Sequence, residues 1–191
     1  MENLFYIDVS RFDEERNKIK LKMLRDSLKT TSDVEKADYI LAVGGDGCLL
    51  NSISNFKHLN IPFFGINGGT LGYYMQELKI KDNKISLQML EKIKYADLNL
   101  VEMPLLNVIA TNKDNEIYQE TAFGDIWIER REAQSLKYNI SVQTETVPLF
   151  CSKNKFISGD GILFSTAAGS TGYARNILGV VMPIGTKDML V

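Results

Sequence analysis

The apolar run Asp38-Tyr39-Ile40-Leu41-Ala42-Val43 stops abruptly at Gly44-Gly45-Asp46-Gly47, and Cys48-Leu49-Leu50-Asn51-Ser52-Ile53 follows with helical spacing. A strand that ends in a glycine turn and feeds a helix is a βα unit, and it commits its part of the chain to α/β architecture. The same order recurs on either side. Leu4 to Val9 reads as a strand, and Ser10-Arg11-Phe12-Asp13 has the form of a capping box opening a helix. In that helix Asp13, Glu14 and Glu15 precede Lys18, Lys20, Lys22, Arg25 and Lys29, an order that suits the helix dipole. Ile19, Met23 and Leu24 mark its expected buried side. The solvated outer face of a domain helix is the expected reading, and a membrane-surface helix is the alternative. A third strand, Ile61 to Ile66, runs into Asn67-Gly68-Gly69-Thr70-Leu71-Gly72, and Ile85, Leu87, Met89, Leu90 and Ile93 outline a further helix. The alternation predicts a parallel sheet over residues 1–97.

After Asp97 the helical spacing gives way to alternation: Tyr138, Ile140, Val142 and Thr144 against Asn139, Ser141, Gln143 and Glu145. Leu105 to Ala110 and Ile117 to Phe123 flank the polar stretch Thr111 to Glu116, which reads as a hairpin loop. Residues 98–191 are therefore expected to be mostly β, with the boundary between Asp97 and Met103.

Composition narrows the functions open to this chain. Its 191 residues carry 22 basic and 24 acidic side chains, a net charge of −2, without the basic excess that drives nucleic-acid binding. At 45% hydrophobic and 24% charged it is the composition of a chain that buries a core. The start, Met1 to Asp8, has no basic region, and its apolar run is too short for a signal peptide or a membrane span, so a cytoplasmic protein is expected. Cys48 and Cys151 are too few for a disulfide framework, and neither has a His or Cys at metal-ligand spacing. His58 is the sole histidine, which removes His-based triads and multi-His metal sites. Carboxylates, hydroxyls and backbone amides are left to do any chemistry.

Gly44, Gly45 and Gly47 are candidates to cradle phosphate oxygens with backbone N–H groups at a helix start; a tight turn needing φ > 0 is the alternative. Asp46 would repel such a ligand unless it holds magnesium or accepts a hydroxyl proton. Gly159-Asp160-Gly161, a strand, and the hydroxyl-rich loop Ser165 to Tyr173 form a second candidate, with short hydroxyls suited to ribose and phosphate oxygens; a Ser/Thr turn bonded to its own backbone is the alternative. Asp125, in Thr121 to Trp127, is a weaker third.

Taken in order, Gly44 to Gly47, Gly65-Ile66-Asn67-Gly68-Gly69-Thr70-Leu71-Gly72-Tyr73, Gly124-Asp125, Gly159-Asp160-Gly161 and Ser165 to Tyr173 resemble the NAD kinase family over nearly the whole chain. The resemblance implies an α/β, Rossmann-like N-terminal domain, a β-sandwich C-terminal domain and an active site between them. It implies transfer of the γ-phosphoryl of ATP, or of polyphosphate, to the 2′-hydroxyl of the adenosine ribose of NAD, with Mg2+ or another divalent cation neutralising phosphate charge. Asp46 matches the catalytic acid that takes the hydroxyl proton. Asp46 and Gly47, with Gly124, Asp125, Asp160, Thr171, Gly172, Tyr173, Ala174, Arg175 and Asn176, match NAD-lining positions, and Asp125 matches the acid that binds ribose hydroxyls. A homodimer or homotetramer is implied, with no nucleic-acid or membrane partner.

Four features depart from the family pattern. Gly124 replaces an asparagine, Ala167-Ala168 stands where proline and a small residue are usual, Ser158 replaces a basic residue, and the chain stops at Val191. They motivate the alternatives: a catalytically weak nucleotide-binding protein of the same fold, a fragment or shortened variant, or partner subunits covering an unfinished sheet. A lipid kinase is the more distant alternative.

Overall fold

Ile40, Leu41, Ala42 and Val43 have no exposed surface, so the run that contains them is covered on both faces. That is the position of a central parallel strand, which is continuously apolar instead of alternating. The computed structural model describes residues 2–69, 72–81, 84–95, 99–143, 148–151 and 156–191, and the chain divides into two compact units, Met1–Glu102 and Met103–Val191.

The first unit runs β1 (Phe5–Asp8), α1 (Arg11–Arg16), α2 (Lys18–Ser27), β2 (Thr30–Thr31), β3 (Tyr39–Gly44), α3 (Asp46–Phe56), β4 (Phe63–Asn67), β5 (Met75–Gln76), the ribbon β6 (Ile80–Lys81) with β7 (Lys84–Ile85), and α4 (Leu87–Lys94). Strands β1 to β5 form one parallel sheet in the order β2-β1-β3-β4-β5, as the sequence predicts. The connection after β1 leads one way along the sheet and the connection after β3 leads the other. In such sheets ligands bind beyond the carboxyl ends of the two strands where the direction reverses, here β1 and β3. Alternate residues of β3 serve opposite faces. Leu41 and Val43 join Leu21, Leu24, Leu28, Ile66 and Ile93 in one core cluster, while Ile40 and Ala42 face the other way.

Two helix readings need correction. The expected single helix after β1 breaks at the buried Asn17, and α2 turns Leu21, Leu24 and Leu28 inward. Ile19, expected inside, is 71% exposed. Positions 21, 24 and 28 share one stripe of a 3.6-residue helix, and Ile19 lies some 200° from Leu21. Ile85, expected on a helix, belongs to β7, and α4 begins at Leu87, itself exposed.

The second unit contains β8 (Leu106–Thr111), β9 (Ile117–Ala122), β10 (Asp125–Glu129), β11 (Leu136–Tyr138), β12 (Ser141–Gln143), β13 (Pro148–Cys151), β14 (Ile157–Gly159), β15 (Gly161–Ser165) and α5 (Tyr173–Leu178). Its strands pair antiparallel as β8 with β9, β10 with β15, β11 with β14 and β12 with β13. The β8–β9 hairpin turns where the polar stretch predicts. Asn112 Oδ1 accepts the N–H groups of Asp114 and Glu116, each at 2.9 Å, an Asx turn that uses the short polar side chain in place of a backbone carbonyl. Tyr138, Ile140 and Val142 are half-buried while Asn139, Ser141 and Gln143 are exposed, as the alternation requires. Thr144 and Glu145 of that pattern, and Asp97 and Thr70-Leu71 of the earlier ones, lie outside the described residues.

Core is distributed unevenly. Among the described residues of the second unit the fully buried apolar side chains are Ala167, Ala168 and Ala174, whereas Ile109, Ile117, Trp127, Ile128 and Ile177 are each more than half exposed. Among the described residues no helix is long and apolar enough to cross a membrane.

Truncating Leu24 to Ala is expected to destabilise the protein by about 2–5 kcal/mol, because the vacated space lies inside the cluster. Ile19→Ala should change stability by no more than about 0.5 kcal/mol. Urea denaturation followed by far-ultraviolet circular dichroism distinguishes the two.

Candidate active site

Gly45 and Asp46 sit at the carboxyl end of β3, next to the strand-order reversal, with Gly45 as N-cap of α3 and Asp46 as its first residue. Gly45 has φ −97°, and among the described residues only Gly179 and Gly185 are glycines with positive φ, so a left-handed turn is not why Gly44, Gly45 and Gly47 are glycine. A Cβ on Gly45 or Gly47 would meet nothing within 4 Å. The protein's own packing therefore leaves open space on the Cβ side of both glycines at the helix start, where the dipole favours an anion.

Asp46 is half-buried, and its carboxylate is held by the loop that enters β5. Oδ2 accepts the Tyr73 N–H at 2.9 Å and Oδ1 the Tyr74 N–H at 3.0 Å. The loop comes this close because residue 72 is glycine: a Cβ there would lie 2.6 Å from Met75 Cγ and 3.2 Å from Asp46 Oδ1. A Cβ on Gly65 would lie 2.6 Å from Met75 Sδ, so this buried methionine is lodged between two glycines.

The start of the same loop is anchored by groups that the sequence reading did not single out. Asn67, buried at the end of β4, donates from Nδ2 to Glu77 and accepts the Gly69 N–H at Oδ1 at 2.8 Å. Lys20 Nζ donates to the Asn67 carbonyl at 2.9 Å, and the Gly68 N–H to the Gly44 carbonyl at 2.7 Å. A Cβ on Gly68 would run into the Asn17 side chain, which explains both the glycine and the buried Asn at the α1–α2 break. In the sequence Asn67, Gly68 and Gly69 stand inside the Gly65 to Tyr73 segment of the family resemblance, with no individual role attached to them.

In the second unit Asp125 opens β10, and its carboxylate lies beside the start of α5, facing the N–H groups of Tyr173 and Ala174. Burial pushes its pKa above the ordinary carboxylate value, while those amides pull the other way and offset part of the rise. Trp127, two residues along, meets Tyr173 edge to face with ring centroids 5.6 Å apart. Asp125, Gly172, Tyr173 and Ala174 are thus brought together. Gly124 is fixed through its backbone, its carbonyl accepting the Thr166 N–H at 3.0 Å and Thr166 Oγ1 at 2.9 Å. A Cβ on Gly169 would lie 2.6 Å from the Gly124 carbonyl. Thr171 Oγ1 donates to the Ala168 carbonyl at 3.3 Å; Arg175 and Asn176 are exposed.

Asp160 is not in this cluster. In the β10–β15 register Asp125 faces Ser165 and Glu129 faces Gly161, so Asp160, one residue beyond, lies past the opposite end, about 17 Å along the strands. Its exposed carboxylate pairs with Arg130 Nε at 2.6 Å. For three of the short hydroxyls the Ser/Thr-turn alternative holds. Ser165, Thr166 and Ser170 are buried and donate to carbonyls of their own loop and of Phe123 and Gly124, and Ser170 Oγ also accepts the Met182 N–H. They build the loop through local backbone bonds.

Residues 6–95 match the family model described as the ATP-NAD kinase N-terminal domain. NAD kinase of Rickettsia bellii is 36% identical over 157 residues, covering 82% of this chain and 56% of that protein. NAD kinase of Rickettsia canadensis is 35% identical over 152 residues, covering 80% of this chain and 54% of that one. The chain therefore spans about half the length of the curated relatives it matches. Among solved structures, yeast NADH kinase complexed with NADH matches with a TM-score of 0.69 at 15% identity, over 98% of this chain and 64% of that one, a likeness of fold.

Gly169→Ala should destabilise the protein by about 1–3 kcal/mol, the usual cost of forcing atoms into a packed site, measured by chemical denaturation. A second expectation concerns pH. With its pKa raised on folding, Asp125 binds more protons folded than unfolded in the window from the ordinary carboxylate value up to the raised one. Its contribution to stability is complete below that window and lost as pH rises through it. Urea titrations at stepped pH should show the difference between wild type and Asp125→Asn falling through the window and flat above it.

Proposed function

We propose, since the chain belongs to the NAD kinase family, that it transfers the γ-phosphoryl of ATP, or the terminal phosphoryl of polyphosphate, to the 2′-hydroxyl of the adenosine ribose of NAD, giving NADP. The observation that carries this reading is Asp46: a carboxylate fixed by two backbone amides, set among glycines whose side of the turn is open. A carboxylate has about four lone-pair sites, so two amide bonds leave room for the hydroxyl. As the oxygen–phosphorus bond forms and the bond to the leaving ADP oxygen breaks, the hydroxyl proton passes to Asp46. Most of the acceleration comes from positioning and charge stabilisation, as in other phosphoryl transfers.

In this reading the amides of Gly45 to Gly47 hold donor phosphates. Asp125 accepts hydrogen bonds from ribose hydroxyls, and Gly124, Thr171 to Asn176 and Asp160 line the rest of the dinucleotide site. Among the described residues no three His, Cys, Asp or Glu side chains gather around a metal position. Mg2+ keeps several waters and leans on one or two carboxylates and the substrate phosphates, and Asp46 would be the side chain to meet it. When bound, the cation neutralises charge on the transferring phosphoryl.

The reading includes self-association of copies in the cytoplasm as a homodimer or homotetramer, supported by the uncovered apolar side chains of the second unit. Sedimentation at working concentration measures it; a stable monomer would remove this part.

Purified protein given NAD, Mg2+ and either ATP or polyphosphate is expected to make NADP, detected with an NADP-specific dehydrogenase. Asp46→Asn should lower kcat about 10²- to 10⁴-fold and leave dinucleotide affinity within about threefold. Equal turnover in the variant takes Asp46 out of the mechanism.

A further inference from the structure

We infer that Trp127, together with Tyr173, forms the wall that receives the planar nitrogen heterocycle of a nucleotide whose ribose hydroxyls meet Asp125. The inference rests on the proposed dinucleotide site and adds to it a residue with no assigned role.

The geometry starts from strand alternation. Asp125 and Trp127 are two positions apart on β10, so they share a face and lie about 6.7 Å apart along it. Ser165 and Leu163 sit opposite them on β15. Both residues lie against the start of the same helix: the Asp125 carboxylate is 3.9 Å from where a Cβ on Gly172 would sit, and the indole meets the Tyr173 ring edge to face at 74°. The acid and the aromatic pair are therefore one constellation. Its spacing matches a nucleoside, in which a diol and a flat ring are carried on neighbouring parts of one sugar.

Exposure points the same way. Trp127 is 51% exposed and Tyr173 44%, although both are held by protein contacts. An edge-to-face pair leaves ring area for a third ring to stack on. They border a groove of about 1040 Å³, lined also by Tyr138, Leu163 and Ile177, which has room for a planar ring, while Asp125 lies outside its lining, two residues along β10 from Trp127. Gly124 offers no side chain to read the edge of a ring, and the stacking that Trp127 and Tyr173 offer tolerates different heterocycles.

Trp127 is the sole tryptophan of the chain, so its emission reports on this position alone. Wild type is titrated with NAD, AMP and nicotinamide mononucleotide, following tryptophan emission and calorimetric heat in parallel. A saturable emission change with the calorimetric midpoint is expected for NAD; reproduction by AMP identifies adenine as the stacked ring, and reproduction by the mononucleotide identifies the pyridinium. Trp127→Leu should weaken NAD binding about tenfold, and Trp127→Phe should keep it within about threefold. Should the Leu variant fail to fold, as judged by circular dichroism, the wild-type emission and the Phe variant decide. Calorimetric NAD binding with unchanged emission, or with unchanged affinity in Trp127→Leu, overturns the inference and leaves the kinase reading standing. Ring-dependent quenching without NADP formation does the reverse. No heat with any of the three nucleotides removes both.

Discussion

Two backbone N–H groups, those of Tyr73 and Tyr74, converge on the carboxylate of Asp46, and the arrangement of the first unit depends on that grip. Hydrogen bonds to an ionised acceptor are about twice as strong as neutral ones. Here they tie the β3–α3 junction to the chain entering β5, which is sequence-distant by more than twenty residues. The glycines around the acid follow from this. Gly72 lets the loop approach, and Gly68 lets it lie against Asn17, while Gly45 and Gly47 leave open space on their Cβ side at the helix start.

The second unit uses the same device with the elements exchanged. Asp46 begins a helix and holds the amides of a loop; Asp125 begins a strand and faces the amides of a helix. In both, an acid's position is set by backbone atoms, so it tolerates change in neighbouring side chains but not in the course of the chain. Sheet order does the rest in the first unit, since the reversal between β1 and β3 leaves the carboxyl end of β3 uncovered by crossovers.

What the sequence made legible was whatever depends on local pattern. The run from Tyr39 to Val43 announces a strand because a short apolar run stops at a glycine turn and helical spacing follows, and Asn112 announces a turn because its side chain bonds its own backbone. Ile19 was misplaced because apolar residues alternate with lysines from Lys18 to Lys22, and the phase of the helix is set only by the break at Asn17. The hydroxyl run from Ser165 to Thr171 announced ligand oxygens equally well as local carbonyls, and long-range contact with Phe123 and Gly124 decided for carbonyls. Trp127 carries no local signal because its partner, Tyr173, is remote in sequence and meets it only through the fold.

The lodging of Met75 between Gly65 and Gly72 links the first unit to oxidative chemistry. Its sulfur lies against Gly65 and its Cβ and Cγ against Gly72, each closer than a side chain on either glycine would allow. Conversion to the sulfoxide adds a polar oxygen to this sulfur, and the nearest escape is for the edge strand to peel from its neighbour. The residues that peel lie directly after Tyr73 and Tyr74, so damage at one sulfur would loosen the acid's mooring without touching the acid, and a methionine sulfoxide reductase would be the repair that restores it.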